Sequence, residues 1–124
     1  MYDNTENYNG SSWTEVADTS NAREICGGAG ASNTSALVYG DLPASGVTES
    51  WNGSAWTEVA DLNTARKSLT AGAGLYDDFL TMGGDSGSIT NIVEQWDGTS
   101  WTEVADLSNN IRSGSTSGAS ASAI

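Results

Sequence analysis

Glu49-Ser50-Trp51-Asn52-Gly53-Ser54-Ala55-Trp56-Thr57-Glu58-Val59-Ala60-Asp61 is the second of three versions of one string. Its W-T-E-V-A-D core recurs at Trp13 to Asp18 and at Trp101 to Asp106, at spacings of 43 and 45 residues. A fixed period of that size marks a repeat architecture, whose units bury their apolar faces only by stacking on neighbours. Each core is preceded by an aromatic and a turn, Tyr8-Asn9-Gly10, Trp51-Asn52-Gly53 and Trp96-Asp97-Gly98, and followed by Arg23, Arg66 or Arg112. Asn-Gly or Asp-Gly between short β-prone runs signals a hairpin with a type I′ turn, in which both central residues take positive φ. A strand is therefore expected on each side of every turn.

The residues after Arg66 are small, Ser68-Leu69-Thr70-Ala71-Gly72-Ala73-Gly74, and lead into an apolar run, Phe79-Leu80-Thr81-Met82, closed by Gly83-Gly84. Four strands per period follow, a, b, c and d from the arginine onward. Under the alternation of strand side chains, Trp56 and Val59 point to opposite faces, so both faces of the sheet carry apolar groups. That suits a sheet sandwiched between two others. Four-stranded sheets at this period, with a Gly/Ala-rich strand where sheets converge, describe β-propeller blades. The expected fold is all-β, with about three repeats per chain: 1–22 (partial), 23–61, 66–106 and 112–124 (partial).

Gly83-Gly84, Trp96 and Trp101 with the Thr-Glu-Val-Ala-Asp-Leu that follows it resemble a Kelch repeat, a pattern of double glycine, Tyr and Trp in that order. The string is also similar to Kelch-like repeats of predicted marine phage and metagenomic proteins. Two departures are visible: the first full copy has Tyr39-Gly40 in place of the double glycine, and the turn between c and d is short. The resemblance implies a propeller and a family of binding modules, adaptors and a few enzymes.

Propellers close with about four to eight blades. Three repeats lacking one b strand would leave open faces and unpaired edges. Assembly is therefore expected, as a homo-oligomer (a dimer forming six blades is favoured) or with a neighbouring chain that completes the propeller. Strands a and c run the same way in a blade, so the missing b strand needs a source, either residues beyond Ile124 or a strand donated by another protein.

Sixteen acidic and four basic residues give a formal charge of −12. Phosphate contacts need clustered Lys and Arg, so nucleic acid is not an expected partner. No segment reaches the roughly 18 apolar residues of a membrane helix, and the N-terminus, Met1 to Glu6, is polar and acidic, unlike a signal peptide. The absence of histidine removes Ser-His-Asp and Cys-His chemistry and imidazole ligation of zinc or copper. The copper oxidases that resemble Kelch proteins need such ligands. No cofactor or metal is expected, and acidic clusters at Asp77-Asp78 and near Asp85 lack calcium-loop spacing. Cys26, aligned with Leu69, reads as a small buried hydrophobe.

Arg23, Arg66 and Arg112, read as one repeat position, suggest either a ring for an anion or ion pairs between blades with Glu15, Glu58 and Glu103 or with Asp18, Asp61 and Asp106. Trp13, Trp51, Trp56, Trp96 and Trp101 read as packing between blades, with sugar stacking as the alternative. Specificity belongs where the repeats differ, on loops. The candidate ligand residues are thus Asp41, Tyr76, Asp77, Asp78, Asp85 and Asn91. Three functions stay open: a non-catalytic binding or structural module, as in a phage virion or tail or an extracellular protein recognising a glycan or protein surface; a propeller hydrolase pairing Asp77 or Asp78 with Asp85; and a pure self-assembly domain.

Overall fold

Three antiparallel sheets follow one another along the chain in the computed structural model, which describes residues 1–118. The first is a two-stranded hairpin, β1 (Thr5–Tyr8) and β2 (Trp13–Val16). Sheet I has the order β3 (Gly27–Ser32), β4 (Ser35–Tyr39), β5 (Thr48–Trp51), β6 (Trp56–Glu58). Sheet II repeats it with β7 (Ala73–Leu75), β8 (Asp78–Met82), β9 (Val93–Trp96) and β10 (Trp101–Glu103). The c-d hairpin and the two a-b-c-d meanders read from the sequence are thus present. The further a strand expected after Arg112 is not formed over residues 113–118, and its remainder lies outside the described residues.

Each turn between c and d is a four-residue loop, with Tyr8 opposite Trp13, Trp51 opposite Trp56 and Trp96 opposite Trp101. It is not the expected two-residue type I′ turn. Only the glycines, Gly10, Gly53 and Gly98, take positive φ (99°, 96° and 91°). The preceding Asn9, Asn52 or Asp97 instead accepts two backbone N–H bonds through its side chain, as from Ser54 (2.9 Å) and Ala55 (3.0 Å) to Asn52. A side chain that satisfies the turn amides removes the need for positive φ at that residue.

Strand alternation gives every sheet a front face and a back face. In sheet I the front carries Ala36, Val38, Glu49, Trp51, Trp56 and Glu58, and the back carries Leu37, Tyr39, Thr48 and Ser50. The back of sheet I packs on the front of sheet II. Tyr39 and Phe79, both fully buried, stack at 5.6 Å, and the edge of Trp101 meets each of them, at 5.2 Å from Tyr39 and 5.4 Å from Phe79. Leu37, Leu62, Leu69 and Trp96 complete this core. The Trp101 indole N–H donates to Thr48 Oγ1 (3.3 Å), and Trp56 donates in the same way to Thr5 Oγ1 (3.0 Å) on the hairpin. The stacking order is therefore polar: the front of each sheet meets the back of the one before.

Where the sheets converge the inner strands are close, with Gly72 N–H bonded to Gly28 O (2.9 Å). A Cβ on Gly72 would collide with the Phe79 ring and the Ala29 methyl. Small residues in strand a are a steric requirement.

Candidate functional site

The repeat places a buried ion pair at the front of each full sheet, with an arginine from the connection that leads into it. Arg23 Nη2 donates to Glu49 Oε1 (2.6 Å) while Nη1 donates to Gly40 O (3.1 Å) and Val47 O (3.0 Å). Arg66 repeats this with Glu94 Oε1 (2.8 Å), Gly83 O (2.6 Å) and Ile92 O (2.9 Å). Arg66, Glu49 and Glu94 are fully buried. The second oxygen of each carboxylate accepts a loop N–H, from Ser20 (2.8 Å) or Asn63 (2.8 Å). The backbones of Arg23 and Arg66 pair with Tyr2 and Ser45 of the preceding hairpin and sheet, so these are ion pairs between neighbouring units, and their partners are Glu49 and Glu94, not the expected Glu15, Glu58, Glu103, Asp18, Asp61 or Asp106. The cause is strand order. Glu49 and Glu94 lie on interior strands, whereas Glu58 and Glu103 lie on edge strands and are exposed.

Nor do the three arginines form a ring. The backbone pairs Tyr2 with Arg23, Ser45 with Arg66 and Thr90 with Ile111, so Ile111 holds the third arginine position. Positive φ two residues later, at Ile25, Ser68 and Ser113, fixes the same register. Arg112 stands one residue on, exposed, at 3.4 Å from Asp85 Oδ2. The same register aligns Gly40 with Gly83, each bonded through its carbonyl to the buried arginine, so Asp41 replaces the second glycine rather than Tyr39 the first.

Burial of Glu49 works against its ionisation, but the hydrogen bonds from Arg23 and Ser20 outweigh it and hold the carboxyl below its ordinary value. A carboxyl with a depressed folded pKa binds its proton more readily in the unfolded chain, so stability is lost as pH falls. This contribution is complete above the ordinary Glu range, about 4.3, and disappears as pH drops through the depressed value. Urea midpoints taken from pH 7 down to about pH 3 should therefore fall more steeply for the wild type than for Glu49→Gln. Parallel curves would refute the assignment.

The six candidate ligand residues fall into two groups. Tyr76 and Asp77, in the turn after β7, and Asp78, which opens β8, lie at the end of sheet II that carries the turn between c and d, Asp77 being in reach of Gly98. Asp41, Asp85 and Asn91 lie on the b-c loops at the opposite end. Strand β8 separates Asp78 from Asp85, a run of five residues or about 16 Å. The carboxylate pair required for hydrolysis is not brought together. Most of these side chains serve local structure. Asp41 accepts Glu24 N–H (2.8 Å) and Leu42 N–H (2.6 Å), Asp85 accepts Gly87 N–H (2.9 Å), and Asn91 donates to Leu107 O (2.9 Å). Tyr76 is bonded to Ser50 Oγ across the sheet interface (2.7 Å), and Asp78 accepts from Gln95 (2.9 Å).

Among the described residues hollows lie elsewhere, at places that position in the repeat alone does not single out. Two run along β1, between the hairpin and the front of sheet I. The third, about 320 Å³, lies on the back of sheet II among Leu80, Met82, Val93, Val104 and Leu107. On the hairpin front, Trp13 is 66% exposed and Tyr8 48% exposed, although Trp96 and Trp101 at the same repeat positions are buried. Cys26 is exposed, against expectation. Its counterpart Leu69 is buried because sheet I, through Gly40, lies against it, and Cys26 has no such neighbour among the described residues.

Among the described residues no group of three His, Cys, Asp or Glu side chains could hold a metal ion, and no helix is long and apolar enough to cross a membrane. No protein-family model matches the chain, and no curated protein matches it.

Proposed function

We propose that this chain is a non-catalytic structural module, a segment of a Kelch-like β-propeller that works by stacking on further sheets, foremost those of other copies of itself. One observation carries the reading. The back of sheet I (Leu37, Tyr39, Val59, Leu62) is buried beneath sheet II, whereas the corresponding back of sheet II is a hollow with Met82 at its buried floor and Leu80, Val104 and Leu107 half-buried, covered by no further sheet among the described residues. The surface that covers such a face elsewhere in the molecule is a tryptophan-bearing front, and the hairpin presents one, with Tyr8 and Trp13 exposed. Self-association between unlike faces runs head to tail and closes when the rotation allows.

The join between copies differs from the joins within one. Val93 stands where Thr48 accepts the Trp101 indole, and Ile111 where Arg66 holds Glu94. Such a join is apolar where the internal ones are polar and, being between chains, depends on concentration. Sedimentation velocity should show association that rises with protein concentration and is abolished by Leu80→Lys, a half-buried side chain in the hollow. A wild type that stays monomeric at its highest soluble concentration would end this reading.

A further inference from the structure

The two hollows beside the hairpin form one groove along β1. The nearer is lined by Thr5, Asn7, Ala36, Trp51 and Trp56, and the other by Tyr2, Asn4, Thr5, Cys26, Val38 and Trp56. They share Thr5 and Trp56 and together run from Tyr2 to Tyr8. Among the described residues β1 pairs only with β2, so its other edge offers unpaired backbone N–H and C=O groups.

The repeat says what belongs there. β1 corresponds to β5, and β5 has β4 on the edge that β1 leaves free. From β4, Tyr39 reaches across to Phe79 and Trp101 on the front of the following sheet, in the core cluster that also holds Leu37 and Leu69. Its hydroxyl donates to Thr70 O (3.3 Å). One repeat earlier, Ala36, Trp56, Cys26 and Gly27 hold the positions of Phe79, Trp101, Leu69 and Thr70. Three of these four, Ala36, Trp56 and Cys26, line the groove. The groove is therefore an empty place for strand b, complete with the free edge to bond its backbone and the floor to receive its side chains.

We infer that this groove binds an extended polypeptide strand from a partner protein, added antiparallel to β1, with inward side chains in an apolar-x-aromatic pattern followed by glycine. That is the pattern of Leu37-Val38-Tyr39-Gly40 in β4. Strand addition of this kind draws affinity from main-chain hydrogen bonds and specificity from pockets for alternate side chains. Because the floor has Ala36 where sheet II has Phe79, the slot leaves more room than the site Tyr39 occupies, and favours a large aromatic, Tyr or Trp, at the third position of the pattern. Both b strands of this chain are already paired, so a second copy supplies this strand only by giving up one of its own sheets.

The inference is independent of self-association. A synthetic peptide with the sequence Ser35 to Asp41 is the probe, and Cys26, exposed in the groove, is the reporter. Saturating peptide is expected to slow alkylation of Cys26 in the full chain at least tenfold and to shift tryptophan emission with the same midpoint. The same peptide with serine at its Leu37 and Tyr39 positions is expected to do neither. A Cys26 alkylation rate unchanged up to millimolar peptide, or slowed equally by the serine peptide, would overturn the inference. Protection in a protein that sediments as a monomer would leave it standing while the assembly reading fell. Association without protection would do the reverse.

Discussion

Replacing Arg66 by methionine is expected to lower the stability of the chain by about 3–5 kcal/mol, the cost of removing one partner from a buried ion pair. The guanidinium is fully buried and donates to Glu94, Gly83 O, Ile92 O and Thr64 O. Without it, Glu94 remains a fully buried carboxylate that keeps only loop donors, the N–H groups of Asn63 and Thr64 and the Asn63 amide. Its loss also frees three carbonyls, of which the buried Gly83 O costs about 1–3 kcal/mol if left unmet by water. Urea denaturation checks the size of the effect, and a cycle with Glu94→Leu checks its cause. The double variant is expected to recover much of the loss, since replacing both partners removes the stranded charge. A double variant as unstable as the sum of the two singles would show that Arg66 matters for its packing or its carbonyl bonds rather than for Glu94. Arg112→Met, at an exposed pair with Asp85, is expected to change stability by less than about 1 kcal/mol.

That contrast also marks where the sequence is readable. Strand order follows from the repeated hairpin and the double-glycine stop, because turn residues and alternation act locally, and local signals are written in consecutive residues. The partner of the arginine is a tertiary fact. Glu49 and Glu58 sit directly opposite each other on one face, and both repeat with the period. What separates them is that β5 is enclosed by β4 and β6, whereas β6 is an edge. Position within the sheet decides which carboxylate loses its water and needs a cation. The third arginine stands one residue beyond the repeat position because the loop from Asp106 to Arg112 is one residue longer than its two counterparts. Only backbone pairing, Thr90 with Ile111, fixes the register. The turn chemistry was half legible: glycine takes the positive φ, but the Asn9, Asn52 and Asp97 side chains do what a second positive φ would have done. The grooves were not legible from residue identity, since a vacancy is defined by what the neighbouring repeat has in the same place.

Trp101→Ala is expected to cost about 3–5 kcal/mol, in the range for deleting a buried aromatic side chain. Trp101 is 6% exposed, meets Tyr39, Phe79 and Trp96 at centroid distances of 5.2 to 5.4 Å, and bonds Thr48 across the sheets. Its loss opens a cavity between two sheets whose inner strands cannot move closer, because the Phe79 ring and Ala29 methyl already crowd Gly72. Trp13→Ala removes the same residue from the same repeat position with a side chain 66% exposed. In a monomer that substitution is expected to stay within about 0.5 kcal/mol, as surface changes do. The pair therefore measures assembly as well as packing. If the hairpin of one copy covers the back of sheet II in another, the cost of Trp13→Ala rises with protein concentration while the cost of Trp101→Ala does not, because only the first contact is lost on dilution. Denaturation of both variants across a hundredfold range of protein concentration separates the two cases. A Trp13 effect that stays small and flat would confine the stacking of sheets to the single chain.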